Sequence, residues 1–101
     1  MNDRELLKAA AKAAGYPAGR HVAMDGLLMA NDLYWNPLTD DGDALRLAVK
    51  LRINVYLDGS TVETESADGH YTEANSTGPE AATRRAITRA AAETGKSMET
   101  K

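Results

Sequence analysis

The sequence predicts a small α+β domain whose elements follow the order helix, β-hairpin, helix, three-stranded β-meander, helix. Three observations support this prediction. Three segments repeat apolar residues at steps of three and four positions, as one side of an amphipathic helix does. Shorter segments between them alternate apolar and polar residues, as half-buried strands do. Asp-Gly pairs, which favour tight hairpin turns, stand at 25–26, 58–59 and 68–69.

The first helix is predicted over residues 3–14. Asn2 and Glu5 stand at the spacing of a capping box, which satisfies free N–H groups at a helix start. Gly15 supplies the left-handed residue that commonly ends a helix. The predicted buried side consists of Leu6, Leu7, Ala10, Ala11 and Ala14.

A hairpin is predicted with arms at 20–24 and 27–30 and a turn at Asp25-Gly26. Because the arms contain few β-branched residues, an irregular loop is the alternative for this segment. Residues 31–43 follow the least regular pattern of the chain.

The second helix is predicted over residues 41–51. Asn36-Pro37 favours a turn before it, and several side chains can cap it, among them Asp40. This helix is apolar around much of its circumference, so we expect it to be the most buried helix. Its apolar residues are Leu45, Leu47, Ala48, Val49 and Leu51.

The three strands of the meander are predicted at 53–57, 60–65 and 70–74. The first alternates clearly, while the other two are markedly polar, so we expect one face of the sheet to meet solvent.

The third helix is predicted to begin at Pro79 and to end at Gly95, with an alanine-rich buried side. The domain therefore covers residues 1–95, and residues 96–101 form a flexible tail with no apolar anchor.

Composition excludes several classes of protein. Twelve Lys and Arg against 15 Asp and Glu give a net charge of −3 in 101 residues, so nucleic acid is an improbable partner. The chain has no cysteine, which excludes disulfides, thiolate metal sites and cysteine nucleophiles. We expect neither a membrane span nor a signal peptide, in keeping with a cytoplasmic protein.

The residues of catalysis and metal binding lack the spacings that those functions need. His21 and His70 have no neighbouring ligand pattern, and no Gly-x-Ser-x-Gly motif is present. Asp40, Asp41 and Asp43 suggest either helix capping or, less well, a cation site without EF-hand spacing. We therefore expect no enzyme activity, no metal and no cofactor.

Two features remain as candidate binding sites. Tyr34-Trp35-Asn36 places two adjacent aromatic residues in an irregular segment, where they could stack on a base; the alternative is that they fill the core. Arg85 and Arg89 stand four apart, so their guanidinium groups share one side of a helix and could hold a phosphate.

Arg84 belongs to the same arginine set, and Thr77 adds a possible anion contact at the helix start. The alternative for the arginines is a solvated helix side on which Glu93 pairs with Arg89.

Two segments resemble one family of small phage and prophage proteins. Residues 34–48 resemble the Asn-Pro…Asp-x-x-x-Ala-Leu helix entry of the "ABA sandwich" domain proteins, and residues 79–87 resemble their closing Ala-x-Arg-Arg-Ala-Ile helix. The layout is similar to that of NinX-like proteins over about residues 3–95. The resemblance implies a three-layer-like α/β/α sandwich: a small, mainly antiparallel sheet, made of the hairpin plus the meander, covered by three helices. It also implies a phage accessory protein in the cytoplasm of the infected bacterial host.

Two functions fit these observations. The first is a non-enzymatic antagonist of host defence that sequesters a small nucleotide signal, such as a cyclic dinucleotide or a cyclic ADP-ribose isomer. Its predicted ligand-binding residues are Tyr34, Trp35, Asn36, Arg84, Arg85 and Arg89. The alternative is an interaction module that docks on and blocks a host or phage protein, with Leu33 among its anchors. We also expect a homo-oligomer, because a chain without Phe and with alanine-rich helices buries little apolar surface alone.

Overall fold

Three helices and six short strands make up the described part of the chain. The computed structural model describes residues 2–16, 22–23, 26–29, 34–67, 69–75 and 78–99. The elements in chain order are α1 (Asp3–Ala13), β1 (Val22–Ala23), β2 (Gly26–Leu28), β3 (Tyr34–Trp35), α2 (Asp41–Leu51), β4 (Asn54–Leu57), β5 (Thr61–Ser66), β6 (Gly69–Ala74) and α3 (Pro79–Glu99).

The predicted α+β class, with helices packed on small antiparallel sheets, is confirmed. The prediction of a single sheet is wrong: within the described residues the strands form two sheets, ordered β1-β2-β3 and β4-β5-β6. The hairpin pairs with β3 through Leu27–Trp35 and Leu28–Tyr34, so β2 has a neighbouring strand on each of its two edges. That sheet contacts α1, whereas the meander packs against α3.

Helix α1 begins and ends as its sequence predicts. The Asn2 side chain accepts a hydrogen bond from the Glu5 N–H at 2.8 Å. Gly15 adopts φ +82°, its N–H donates to Lys12 O, and the Tyr16 N–H donates to Ala11 O. This is the Schellman arrangement, which satisfies the last carbonyls of a helix.

Helix α2 has the predicted bounds but not the predicted burial. Its buried residues are Ala44, Leu47 and Ala48, whereas Leu45 is 64% and Val49 is 70% exposed. The expectation that α2 is the most buried helix is therefore wrong. Its only extensive described helix contact is with α3, so just one side of it is covered.

Helix α3 contacts α1, α2 and the meander, and is therefore the central element of the described residues. It runs through Gly95 to Glu99, so the predicted end at Gly95 is wrong and residues 96–99 are helical. A Cβ at Gly95 would lie 2.7 Å from the carbonyl carbon of Ala9, so the glycine permits close approach of α1. Residues 100–101 lie outside the described residues.

Gly26 is also a strand residue rather than a turn residue. It pairs with Ala23 and adopts φ +117°, and a Cβ there would meet Trp35 O at 2.5 Å. The prediction that Gly26 lies in the turn is therefore wrong, and Asp25, like Asp68, lies outside the described residues. The β3 backbone occupies the space that a side chain would need.

The main core lies between α1, α2, α3 and the β1-β2-β3 sheet, with Ile53 also buried in it. Alanines form a large part of it, and its larger members are Leu7, Leu27, Trp35, Leu47, Ile53 and Ile87. A smaller cluster of Val62, Ala82 and Ala86 joins β5 to α3. Among the described residues, no helix combines the length and the apolar character needed to cross a bilayer.

The meander has one covered and one solvent-facing row, as predicted. Val55, Thr64 and Tyr71 are in register and are buried or half-buried. The opposite row is open, and its Tyr56 hydroxyl donates to Glu65 Oε1 at 3.2 Å. That hydrogen bond, helped by the Glu65 charge, raises the pKa of Tyr56.

Candidate functional site

Trp35 belongs to the core. It is only 5% exposed, and its ring meets the Tyr16 ring edge to face at a centroid distance of 5.2 Å. Tyr34, its neighbour on the strand, faces the opposite way and is exposed. The two aromatic residues therefore do not form one stacking platform, and the alternative of a core tryptophan is the one that the structure supports.

Asn36 is buried and organises the turn before α2. Its side-chain Oδ1 accepts from the Leu38 N–H at 3.0 Å, and its own N–H donates to Asp43 Oδ2 at 2.9 Å. Its carbonyl accepts from the N–H groups of Thr39 and Asp40. These bonds give Asn36 a structural role in the turn.

The three aspartates at the start of α2 each have a partner in the fold. Asp40 accepts from the Asp43 N–H at 2.8 Å, as the capping hypothesis predicts. Asp43 also accepts from Arg46 at 2.7 Å, and this hydrogen bond raises the pKa of Arg46. Among the described residues, no group of three or more His, Asp or Glu side chains could hold a metal ion. His21 lies outside the described residues.

Arg84 joins α3 to the turn before α2. Its Nε–H donates to Leu38 O at 2.9 Å, and its Nη1 donates to Asp41 Oδ1 at 2.6 Å. Since it lies 46 positions from Leu38, Arg84 fixes a long-range contact. It is mostly buried and lies apart from the other two arginines.

Arg85 and Arg89 line one cleft, as their spacing predicts. Arg85 donates to Asp3 Oδ1 at 2.9 Å and 3.1 Å. Arg89 lies 3.6 Å from Glu73 Oε1 and places its guanidinium over the Tyr71 ring, 5.8 Å from the centroid. Both arginine side chains are about half exposed.

We call this space the arginine cleft. It has a volume of about 270 Å³ and is lined by Leu6, Glu73, Arg85, Arg89, Glu93 and Lys96. A second cleft of about 470 Å³ shares Arg85 and Glu73 with it; its other lining residues are the polar Asp3 and Thr39 and the apolar Leu38, Ala74, Ala81 and Ala82. Arg85 and Glu73 therefore stand where a charged space adjoins one of mixed polar and apolar lining.

Sequence reasoning missed Lys96 and Glu73. Lys96 follows Arg89 by seven positions, which places it on the same side of a helix, but only if the helix continues past Gly95. Glu73 faces Arg89 because its strand alternates with period two, and nothing local in the sequence identifies its partner. Thr77, the predicted anion contact, lies outside the described residues.

A third concave surface lies on the opposite side of α3. We call it the apolar groove: it has a volume of about 300 Å³, and Ala44, Leu45, Leu57, Pro79 and Ile87 supply its apolar lining. The carboxylates of Asp41 and Glu80 stand at the same groove. Leu57 is 72% exposed, although it belongs to the row of the meander that faces α3.

No protein family, no curated protein and no solved structure matches this chain. The resemblance to small phage proteins therefore remains a prediction from the sequence.

Proposed function

We propose that this chain is a non-enzymatic binder of a small phosphorylated ligand of the nucleotide class, held at the arginine cleft. The observation that supports the proposal is the convergence of Arg85, Arg89 and Lys96 on one cleft that adjoins a second cleft of mixed polar and apolar lining. A nucleotide offers matching groups, since it joins charged phosphates to a planar base with apolar faces and polar edges.

The present partners of the two arginines are easily exchanged for phosphate. Asp3, the partner of Arg85, is exposed, and exposed ion pairs contribute only about 0–1 kcal/mol. The separation of 3.6 Å between Arg89 and Glu73 is longer than a strong charge-assisted hydrogen bond. A phosphate offers the guanidinium groups several oxygens at once, which favours two-pronged binding.

The carboxylates of the cleft restrict the ligand further. Glu73 and Glu93 line the same space as the three cations, so a ligand made only of phosphate meets repulsion as well as attraction. A ribose hydroxyl or a base amino group would donate to Glu73, which lies at the boundary of the two clefts. The lining therefore favours a nucleotide over inorganic phosphate.

The biological role that we propose is sequestration of a nucleotide signal without turnover, in the cytoplasm of a phage-infected bacterium. A cyclic dinucleotide or a cyclic ADP-ribose isomer has the required chemistry. Sequestration needs affinity and no reacting group.

Thermal unfolding with a panel of cyclic dinucleotides, cyclic ADP-ribose isomers and ATP tests this proposal. A ligand at 100 times its Kd should add about 2.7 kcal/mol to the free energy of unfolding. Arg46→Ala is the matched control, because Arg46 is an exposed arginine of α2 with its own carboxylate partner. We expect Arg85→Ala to reduce the shift to about half or less and Arg46→Ala to preserve it; a panel without any shift, or equal losses in both variants, contradicts the proposal.

Docking on a host or phage protein is the second candidate function, and the apolar groove favours it. For this function we expect a purified partner protein that binds the wild-type chain but not Leu45→Lys. We also expect no nucleotide to shift the thermal unfolding of the chain. Leu33, one of the anchors expected for this role, lies outside the described residues.

A further inference from the structure

The two edges of the β4-β5-β6 sheet differ in how they are protected. On β6, the side chain of Glu73 lies in the row that faces α3, where it is largely covered and faces Arg89. An inward-pointing charge on an edge strand is a common device against pairing with another chain. Strand β4, Asn54–Leu57, contains no charged residue. Its edge has no such protection.

Among the described residues, nothing pairs with alternate backbone groups of β4, which are therefore placed to bond a further strand. The Asp58 N–H donates to Thr61 O at 3.0 Å, so residues 58 and 61 are a hydrogen-bonded pair. Hydrogen-bonded and non-hydrogen-bonded pairs alternate along an antiparallel ladder. Asn54 and Tyr56 therefore bond to β5, while Val55 and Leu57 direct their N–H and C=O groups away from it.

Exposed apolar side chains surround this edge. Leu45 and Val49 lie one turn apart on α2, and Leu45 and Leu57 both line the apolar groove. Among the described residues, six large hydrophobic side chains are exposed: Tyr34, Leu45, Val49, Tyr56, Leu57 and Met98. Leu45 and Leu57 line the same groove beside the free edge of β4, and we call this groove and edge together the patch.

We infer that a second copy of this chain covers the patch, by antiparallel pairing of β4 with β4 across a two-fold axis. With Tyr56 on the axis, Val55 of each copy stands opposite Leu57 of the other. Both residues carry the outward backbone groups, so the two pairs form hydrogen bonds in both directions. Asp58 then stands opposite Asn54, and no like charges oppose each other on the paired strands.

A second copy is the occupant that the chain itself favours. Its helices α1 and α3 meet through alanines, and it has no Phe, so the isolated domain buries little large apolar surface. The same four-residue strand supplies both halves of the contact, which is what a two-fold interface requires. The arginine cleft lies on the opposite side of α3 and stays open in the dimer, so this inference is independent of the proposed function.

Light scattering over a range of concentrations tests the dimer. We expect the wild-type chain to be a dimer at micromolar concentration, and Leu57→Lys and Leu45→Lys to raise the dimer Kd at least tenfold. Thr72→Lys is the matched control, because it adds the same charge to an exposed residue of the other edge strand. Circular dichroism confirms that each variant is folded.

A single cysteine tests the register. The chain has none of its own, so any disulfide must join two introduced cysteines. Residues opposite each other in a non-hydrogen-bonded pair have Cα atoms about 4.5 Å apart, which suits a disulfide. We expect Tyr56→Cys to form a covalent dimer on mild oxidation, and Thr72→Cys to remain monomeric on a denaturing gel.

Three results would overturn the inference. The first is a wild-type chain that stays monomeric at concentrations up to 100 times the micromolar range. The others are lysine variants that dimerise as readily as Thr72→Lys, and a Tyr56→Cys chain that does not cross-link. A monomer whose patch binds a different protein falls under the first result. None of these outcomes affects nucleotide binding at the arginine cleft.

Discussion

The two sides of α3 differ in what they offer to other molecules. On one side, Arg85, Arg89 and Lys96 line a charged cleft in which both arginine side chains are about half exposed. On the other, Leu45 and Leu57 line a groove that is mainly apolar. A charged cleft suits a small anionic ligand, whereas an exposed apolar surface suits a protein.

Arg84 and Arg85 show how sharply the helix divides these roles. Adjacent residues on a helix point about 100° apart, so neighbours in sequence face different surroundings. Arg84 is mostly buried and donates to Leu38 O and Asp41 on the side of α2. Arg85 reaches Asp3 on the side of α1 and remains half exposed. Two arginines in one sequence motif therefore need not belong to one site.

The largest expected effect comes from a residue that belongs to neither side. Trp35→Ala removes a buried indole that packs on Tyr16, so it should lower the free energy of unfolding by about 3–5 kcal/mol. Tyr34→Ala, at the exposed neighbouring position, is the control and should cost far less. Urea denaturation measures both. Equal losses of unfolding free energy in the two variants would show that Trp35 is not a core residue.

The second effect concerns affinity alone. Arg85→Ala should weaken nucleotide binding by about 1.5–3 kcal/mol, because a charge-assisted hydrogen bond is lost. Its free energy of unfolding should fall by no more than about 1 kcal/mol, since the Asp3 pair is exposed. Calorimetric titration and denaturation separate the two quantities. A stability loss with unchanged affinity would make Arg85 purely structural.

Arg84→Ala should show the reverse pattern. The change removes hydrogen bonds to Leu38 O and Asp41, so we expect about 1–2 kcal/mol less stability and an unchanged nucleotide affinity. The same titration and denaturation measure it. If Arg84→Ala weakens binding as much as Arg85→Ala, the division between the two sides of α3 is wrong.

The smallest effect is expected at the apolar groove. Leu45→Ala should change the stability of the monomer by less than about 0.5 kcal/mol, because the side chain is mostly exposed. Leu47→Ala, two positions away and buried, should cost about 2–5 kcal/mol. Denaturation is measured at a concentration below the dimer Kd, so that self-association does not add to either value. Similar losses would mean that α2 buries both sides.

Within the candidate site, the sequence identified two of the residues that line the arginine cleft. Arg85 and Arg89 follow from helical spacing alone, and helical spacing is a local property. Lys96 does not follow from the sequence, because a glycine at position 95 predicts a helix end. Gly95 is instead required by the close approach of Ala9, which is 86 positions away along the chain. The sequence alone does not distinguish a glycine that ends a helix from a glycine that allows a neighbouring helix to approach closely.

Local sequence patterns are sufficient to predict the α+β class, the bounds of α2, both ends of α1 and the alternation of the meander. Each of these depends on residues within a few positions of one another, through capping, turn chemistry and side-chain period. Long-range packing is what buries Trp35, exposes Leu45 and Val49, and divides the described strands into two sheets. Burial depends on which distant element covers a side chain, and many arrangements satisfy the same local pattern. The placement of α3 selected one of these arrangements, with the arginines on one side and the apolar groove on the other.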